Sequence, residues 1–353
     1  MKTNHSFYID LAVYILLAVA LAVQTSCGKS SEGDKASADK NSKSIFAMNT
    51  YVTVTAYGDN AENALISAED KIKSLESMWS VTDENSEIYA INHSEGQSAE
   101  VSAETAELLD FSLEMHERTD GAFDISLYPV LTAWGFTTEE YRVPGDEELA
   151  QLLGNTGVEK ILLNDRTVQV PAGMQIDLGA VGKGYAGDLV AEDLKKNGVE
   201  SALIDLGGNI QTVGTKPDGG NWKVGIRSPF GEGNFAVLEI GECAVVTSGG
   251  YERYFVQDGK TYWHILDPET GKPAESGIAS VSVIGSEGRL CDALSTSLFV
   301  MGLDKAAELW KNSDDFEMII VTSEGEIYIT EGIEDDFSLS ENFSEPKVSV
   351  IRR

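Results

Sequence analysis

Alternating and helical spacings of apolar residues divide most of the chain into short strands and amphipathic helices. Residues 47–58 alternate between valine and polar side chains, which predicts a strand. Residues 60–79 have apolar side chains at helical spacing. Residues 102–121 have the same spacing and begin with Ser102, a residue type favoured at helix N-caps. Both of these segments are predicted to be helices.

The later part of the chain mixes both element types, with Gly, Asn and Asp turns between them. Residues 158–173 and residues 316–330 predict two hairpins, and residues 291–312 contain two helical patterns. The acidic tail is predicted to end in a strand at Val348 to Ile351. This order predicts an α+β fold, arranged as one compact unit or as two lobes.

The N-terminus differs from the rest of the chain. Leu11 to Val23 is an unbroken apolar run, short for a membrane span and typical of a signal peptide, and small residues then precede Cys27. We predict a lipoprotein-type signal peptide over residues 1–27, a flexible linker over 28–44 and a folded domain over 45–353. Lipid on Cys27 would hold the protein on the extracytoplasmic face of a bacterial membrane. A plain cleaved signal or an uncleaved anchor is the alternative.

Charge restricts the partners that the protein can have. The chain has 58 acidic and 26 basic residues, a net charge of −32, so its surface repels nucleic acid and anionic lipid. Membrane contact is therefore predicted through the lipid anchor only. A phosphate-bearing substrate would need local cations to reverse this field.

The remaining cysteines are Cys243 and Cys291, and both have largely apolar neighbours in sequence. Neither lies in a C-x-x-C motif or near a histidine. We predict buried free thiols, with a disulfide as the alternative.

Residues 182–187 spell G-K-G-Y-A-G, a match to the dinucleotide fingerprint, and Asp205 follows at a distance suited to a ribose contact. The apolar spacing begins inside this stretch, however, and places the glycines in the first turns of a helix. Glycine is unfavourable there, which predicts close approach of another backbone. A P-loop is excluded because Gly184 replaces the magnesium-holding Ser or Thr. The helix start, with Asp177 before it and Lys183 within it, suits a phosphate and a cation.

Three further segments could carry chemistry. Asp292 and Thr296 lie one helical turn apart and would present two oxygens to Mg²⁺, although Asp292 as an N-cap and Thr296 bonded to its own helix are alternatives. His264 lies at a predicted strand end, which suits proton handling or a structural hydrogen bond. Phe123 beside Asp124 suits packing against a planar ring or an ordinary core.

Nine segments, taken in order, resemble the ApbE family of FAD:protein FMN transferases. They lie between residues 46 and 330 and read MNT, SEIYAIN, TDGAFDISLYPVLTAWGF, IDLGAVGKGYAGD, DLGGNI, WKVGIRSP, TSGGYERYF, HILDPETGKP and DALSTSLFVMG. Each segment alone is weak, and their shared order carries the resemblance. A lipoprotein-type signal is also typical of many members.

The resemblance implies an ApbE-like fold and an extracytoplasmic, Mg²⁺-dependent enzyme. Such an enzyme cleaves FAD, attaches FMN through a phosphoester bond to Thr or Ser of an exported acceptor flavoprotein, and releases AMP. The acceptor would have an FMN-binding-type domain, as in a redox-complex subunit. Matching positions imply that the metal is held by Asp292, Thr296 and the main-chain oxygen of Ala180. The positions matched to FAD contacts are Met48, Trp79, Ala122, Phe123, Asp124, Asp177, Lys183 and Ile265.

The resemblance is incomplete at Thr82, where the family often has an aromatic residue. Trp79 is the nearest aromatic residue that would take over the ring contact. His264 is predicted to polarise the acceptor hydroxyl, with Asp177 as the alternative base. An FAD pyrophosphatase or an FAD-binding lipoprotein is the nearest alternative function, and an NAD-dependent Rossmann oxidoreductase is a distant one.

Overall fold

The structure is a computed structural model that describes residues 39–341 and 346–353, and these residues belong to one compact unit. The predicted signal peptide, Cys27 and most of the predicted linker lie outside the described residues. The described part contains α1 (Ala61–Trp79), α2 (Glu87–Asn92), α3 (Ala103–Arg118), α4 (Tyr128–Trp134), α5 (Asp146–Leu153), α6 (Gly182–Lys196), α7 (Gly288–Met301) and α8 (Leu303–Lys311). None of these helices is long and apolar enough to cross a membrane.

The strands are numbered in chain order. They are β1 (Lys40–Ala47), β2 (Thr50–Tyr57), β3 (Ala99–Glu100), β4 (Leu162–Asn164), β5 (Thr167–Gln169), β6 (Ala202–Leu206), β7 (Asn209–Val213), β8 (Trp222–Arg227), β9 (Asn234–Ile240), β10 (Ala244–Gly249), β11 (Tyr254–Gln257), β12 (Lys260–Trp263), β13 (Ile278–Gly285), β14 (Phe316–Thr322), β15 (Ile327–Thr330), β16 (Phe337–Leu339) and β17 (Val348–Ile351). Helices and mostly antiparallel strands thus alternate irregularly, and the predicted α+β class is confirmed.

A nine-stranded sheet organises the molecule, in the order β1-β2-β6-β7-β10-β13-β14-β15-β17. Its pairs are antiparallel except the last, β15 with β17. The strand β6 that follows α6 pairs antiparallel with both of its neighbours. The parallel βαβ unit of a Rossmann site is therefore absent around the glycine-rich segment in the described chain, which excludes the NAD-dependent alternative.

Both faces of this sheet are covered. Helices α1, α6, α7 and α8 pack on one face and bury the larger core. The three-stranded sheet β16-β9-β8 packs on the other face, with Trp222, Val224 and Ile226 of β8 turned inward. Strands β13 and β14 are almost continuously buried because both of their faces are covered.

The folded domain begins earlier than the sequence predicts. Strand β1 starts at Lys40 and pairs antiparallel with β2, so the predicted linker boundary at residue 44 and the predicted domain start at residue 45 are wrong. The turn consists of Met48 and Asn49, whose φ angles are 52° and 61°. Such a turn favours glycine or asparagine at both positions. Because position 48 is methionine, the sequence does not show the usual signal of a hairpin turn.

The other predicted elements agree with the structure. The side chain of Ser102 accepts a hydrogen bond from the Thr105 N–H and begins α3 as predicted. The hairpins β4–β5 and β14–β15 and the terminal strand β17 are present. Cys243 and Cys291 are free thiols, the first half-buried and the second buried. Burial raises the pKa of Cys243 to about 12, so this thiol is not a ready nucleophile.

Two glycines bring helices α6 and α7 into backbone contact. A Cβ atom at Gly184 would lie 2.1 Å from the carbonyl oxygen of Gly288, and a Cβ atom at Gly288 would lie 2.4 Å from that of Gly184. The predicted close approach of another backbone is therefore confirmed. The glycine spacing serves helix packing.

We expect Gly184→Ala to lower the free energy of unfolding by about 1–3 kcal/mol, because the added methyl group overlaps backbone that cannot rotate away. Gly182→Ala in the same helix is the matched control, since its added Cβ atom would lie 3.5 Å from a ring carbon of Trp79, an ordinary contact distance. That control should be neutral or stabilising. Urea unfolding followed by circular dichroism measures both, and equal stability of the two variants would contradict the packing argument.

Candidate active site

The N-terminus of α6 has unused main-chain groups. The N–H groups of Val181 and Gly182 both donate to the Leu178 carbonyl oxygen, which forms the turn before the helix. The Gly184 N–H donates to Oδ2 of Asp292 at 2.8 Å and not to the carbonyl of Ala180. Among the described residues, the Ala180 oxygen accepts no hydrogen bond and the Lys183 N–H donates none. One donor and one acceptor are thus available where the helix dipole is positive.

Asp292 lies within α7, beyond its first residues, so the alternative that it caps its own helix is wrong. It caps α6 instead. Its side chain is almost fully buried, and its Oδ1 lies 3.9 Å from Nζ of Lys183. Thr296 follows one turn later and its hydroxyl lies 3.2 Å from that of Ser248 in β10. The predicted pair therefore shares one helix face, as its spacing requires.

These groups form a set of hard oxygen donors. They are Oδ1 of Asp292, the hydroxyl of Thr296 and the unbonded carbonyl of Ala180. No cluster of three or more His, Cys, Asp and Glu side chains that could hold a metal occurs in the described chain. A cation here would have one carboxylate ligand and would need water or a ligand phosphate to complete its shell. Mg²⁺ is commonly bound in this way.

Asp177 lies on the other side of the turn before α6. Its main-chain N–H donates to the Ile125 carbonyl at 2.8 Å, and its Oδ1 accepts from the Gly179 N–H at 2.7 Å. Burial raises the pKa of Asp177, while that hydrogen bond and the charges of Arg253 and Lys183 act in the opposite direction. Opposing effects on a buried carboxyl group beside two cations are typical of functional sites.

His264 directly follows β12, as the sequence predicts. Its main-chain N–H donates to the Arg253 carbonyl oxygen at 3.1 Å, and its ring Nδ1 lies 3.2 Å from the same oxygen. Burial lowers the pKa of His264 to about 4, helped by the positive charges of Arg253 and Lys183. The imidazole is therefore neutral at pH 7 in the protein alone. The structure brings His264, Asp177, Lys183 and Arg253 into one electrostatic neighbourhood.

Arg253 and Ser248 were not singled out from the sequence. Both lie in the segment TSGGYERYF, at the end of β10 and just before β11. Arg253 is exposed, and no carboxylate lies within ion-pair distance of it in the described part of the chain. Its positive charge acts on both Asp177 and His264, so it adds a second cation to the site beside Lys183.

The segment Ala122-Phe123-Asp124 is connected to the site through Ile125, the next residue in sequence. Phe123 is 1% exposed and belongs to the core. This agrees with the alternative that it packs as an ordinary core residue. Asp124 accepts hydrogen bonds from both the N–H and the hydroxyl of Ser126, and burial raises its pKa. Ile125, next in sequence, holds the Asp177 backbone.

The remaining positions matched to FAD contacts are Met48, Trp79 and Ile265. The N–H of Met48, in the strained β1–β2 turn, donates to Oε1 of Glu76 at 2.7 Å. Ile265 is buried. Trp79 is only 8% exposed, its indole N–H donates to Thr105, and its ring packs beneath Gly182. Its ring contact with FAD stays a prediction, and the structure gives this side chain a packing role.

A cleft of about 500 Å³ lies beside the site. Its lining residues are Val81, Thr82, Tyr89, His93, Tyr128, Pro129, Thr132 and Gln175. The rings of Tyr89 and His93 are stacked with centroids 3.8 Å apart. Burial raises the pKa of Tyr128, and the nearby charge of Asp177 raises it further, which connects the cleft to the charged groups. Two tyrosine rings and an imidazole therefore line the same cleft as Thr82, although residue 82 itself is not aromatic.

The fold and these groups define an α+β protein that offers a helix N-terminus, two cations and a set of oxygen ligands to a phosphate-bearing molecule. The model of the ApbE family matches residues 48–320. The chain belongs to the ApbE family.

Its relatives have consistent names. The FAD:protein FMN transferase of Klebsiella pneumoniae is 34% identical over 265 residues, which cover 73% of this chain and 82% of that protein. The enzyme of the same name from Treponema pallidum is 31% identical over 332 residues, or 88% of this chain and 92% of that protein.

Solved structures agree with the fold. The crystal structure of the ApbE protein from Thermotoga maritima superposes with a TM-score of 0.80 and 34% identity, covering 84% of this chain and 99% of that one. The flavin transferase ApbE from Vibrio cholerae gives a TM-score of 0.76 and 25% identity, with coverage of 85% and 99%. The predicted family and fold are thus confirmed.

Proposed function

We propose that this chain is an FAD:protein FMN transferase that cleaves FAD in the presence of Mg²⁺, attaches FMN to a Thr or Ser hydroxyl of an exported acceptor protein, and releases AMP. One observation carries the proposal. At the start of α6, a free N–H, the Lys183 ammonium group and the Asp292 carboxylate converge where a diphosphate and its cation would lie. The names of the relatives support the same activity.

Mg²⁺ fits the oxygens present. Asp292, Thr296 and the carbonyl of Ala180 would hold it, and when bound it would neutralise charge on the diphosphate oxygens. Lys183 and Arg253 would reverse the field of the acidic surface around the same phosphates. The aromatic cleft around Thr82 would receive a planar ring of FAD.

The transfer step forms one bond and breaks another. The acceptor oxygen bonds to the phosphorus of the FMN half, and the bond from that phosphorus to the AMP oxygen breaks, with its electron pair leaving on AMP. His264 would accept the hydroxyl proton. Its pKa of about 4 is too low for this in the free protein, but an anionic diphosphate beside Lys183 and Arg253 offsets the charges that lower it.

The proposal is tested by incubating the purified protein with FAD and Mg²⁺, with and without an acceptor that has an FMN-binding-type domain. We expect AMP in amounts equal to the acceptor that becomes covalently fluorescent in a denaturing gel, and neither product with EDTA. AMP without acceptor would indicate an FAD pyrophosphatase. FAD binding without AMP in either case would indicate an FAD-binding lipoprotein.

We also propose that the protein is held by lipid on Cys27 at the extracytoplasmic face of the membrane. The apolar run and the small residues before Cys27 support this. Wild-type protein should fractionate with membranes and incorporate labelled fatty acid, and Cys27→Ala should lose the label. Fatty-acid labelling of Cys27→Ala at the wild-type level would contradict the anchor.

A further inference from the structure

Helices α6 and α7 carry the same five-residue pattern, Gly-x-x-x-Asp, at residues 184–188 and 288–292. Each aspartate accepts a hydrogen bond from the glycine N–H of the other helix. The Gly184 N–H donates to Asp292 at 2.8 Å, and the Gly288 N–H donates to Asp188 at 2.6 Å. The two helix N-termini therefore cap each other across the contact that the glycines allow.

Asp188 makes three hydrogen bonds in this arrangement. Its Oδ1 accepts from Gly288 and from Nε2 of Gln211, and its Oδ2 accepts from the Arg289 N–H at 2.9 Å. The residue at the N-cap position of α7, Glu287, makes no side-chain capping bond. Asp188 thus supplies the side-chain cap that α7's own N-cap residue does not.

We propose that Asp188 is a positioning residue, which sets the affinity of the site for its divalent cation by holding the N-terminal turn of α7. Asp292 is four residues after Gly288 and therefore lies directly over the turn that Asp188 holds. Asp292 is itself tied back to α6, so a shift of α7 moves its carboxylate relative to Ala180 and Lys183. This inference rests on the metal site of the proposed function.

The test measures Mn²⁺ binding to the FAD-free protein by electron paramagnetic resonance. Asp188→Asn keeps the side-chain size but replaces one acceptor oxygen by an amide group that faces N–H donors. We expect its Mn²⁺ Kd to rise about 10- to 100-fold, as is typical when a residue that orients a metal ligand is lost. Gln211→Met removes one bond to Asp188 and should raise the Kd in the same direction by less.

Glu87→Gln is the matched control. The Glu87 carboxylate also caps a neighbouring helix, accepting from the N–H and the hydroxyl of Ser102 at the start of α3. This variant should lose thermal stability without changing the Mn²⁺ Kd. If Asp188→Asn does not fold, Gln211→Met decides the question.

Two outcomes would overturn the inference. One is an unchanged Kd in both Asp188→Asn and Gln211→Met despite lower thermal stability, which would make Asp188 a helix cap only. The other is an equal rise in Kd for Glu87→Gln, which would indicate general loosening of the fold. A wild-type protein that binds no Mn²⁺ would refute the metal site of the proposed function, a result distinct from both.

Discussion

Asp292→Asn is expected to lower the rate of Mg²⁺-dependent AMP release by about a thousandfold or more, because a metal ion contributes several kcal/mol to charge neutralisation and each 1.36 kcal/mol changes the rate tenfold. Asp292 is the one carboxylate among the oxygens that would hold Mg²⁺ in the described site. An amide in its place has no charge and is a poor ligand. AMP is measured by chromatography at saturating FAD.

Asparagine is the informative substitution because Asp292 also caps α6. Alanine would leave the buried Gly184 N–H unpaired, at a cost of about 1–3 kcal/mol, and would mix a folding defect with a catalytic one. The asparagine oxygen can still accept that hydrogen bond. Asp304→Asn, an exposed change in the first turn of α8, controls for the loss of charge and should keep full activity. Wild-type activity in Asp292→Asn would mean that this residue only caps α6.

His264→Ala is expected to slow covalent flavin transfer to the acceptor by about 10²- to 10⁴-fold, the range typical for loss of a general base. FAD affinity should change far less, because phosphate binding depends on Lys183, the α6 N-terminus and the cation. A transferase must also make a protein hydroxyl react in preference to water, which requires that hydroxyl to be positioned. In-gel flavin fluorescence measures transfer, and FAD titration measures affinity.

The two readouts distinguish His264 from Asp177. Equal losses of transfer and of FAD affinity in His264→Ala would mean that the imidazole only shapes the FAD pocket. Asp177→Asn would then be expected to show the selective loss of transfer. The pH dependence gives a second criterion: without FAD the imidazole of His264 is neutral above its pKa of about 4, so a titration of His264 above that value should appear only in the FAD complex.

Local regularities in the sequence were enough to predict several local features around the candidate site. A helical period requires Asp292 and Thr296 to share a face, and they do. The period that begins within the glycine stretch correctly placed three glycines inside α6, against a literal match to a dinucleotide fingerprint. The start of α3 at Ser102 was predictable because its capping hydrogen bond joins residues only three positions apart. Nine motifs in order were enough to identify the family.

Long-range contacts decided the rest. The packing of Trp79 depends on Thr105 and Gly182, which no local pattern connects to it. Strand β1 could not be predicted because the polar side chains of this edge strand resemble those of a linker in sequence. Only its pairing with β2 identifies it as a strand. The capping of α6 by Asp292, and of α7 by Asp188, joins residues about one hundred positions apart. Periodicity describes one element at a time. The sequence by itself therefore determined that α6 and α7 are helices and which of their residues share a face, and only the packing of α6 against α7 decided how their charged groups meet.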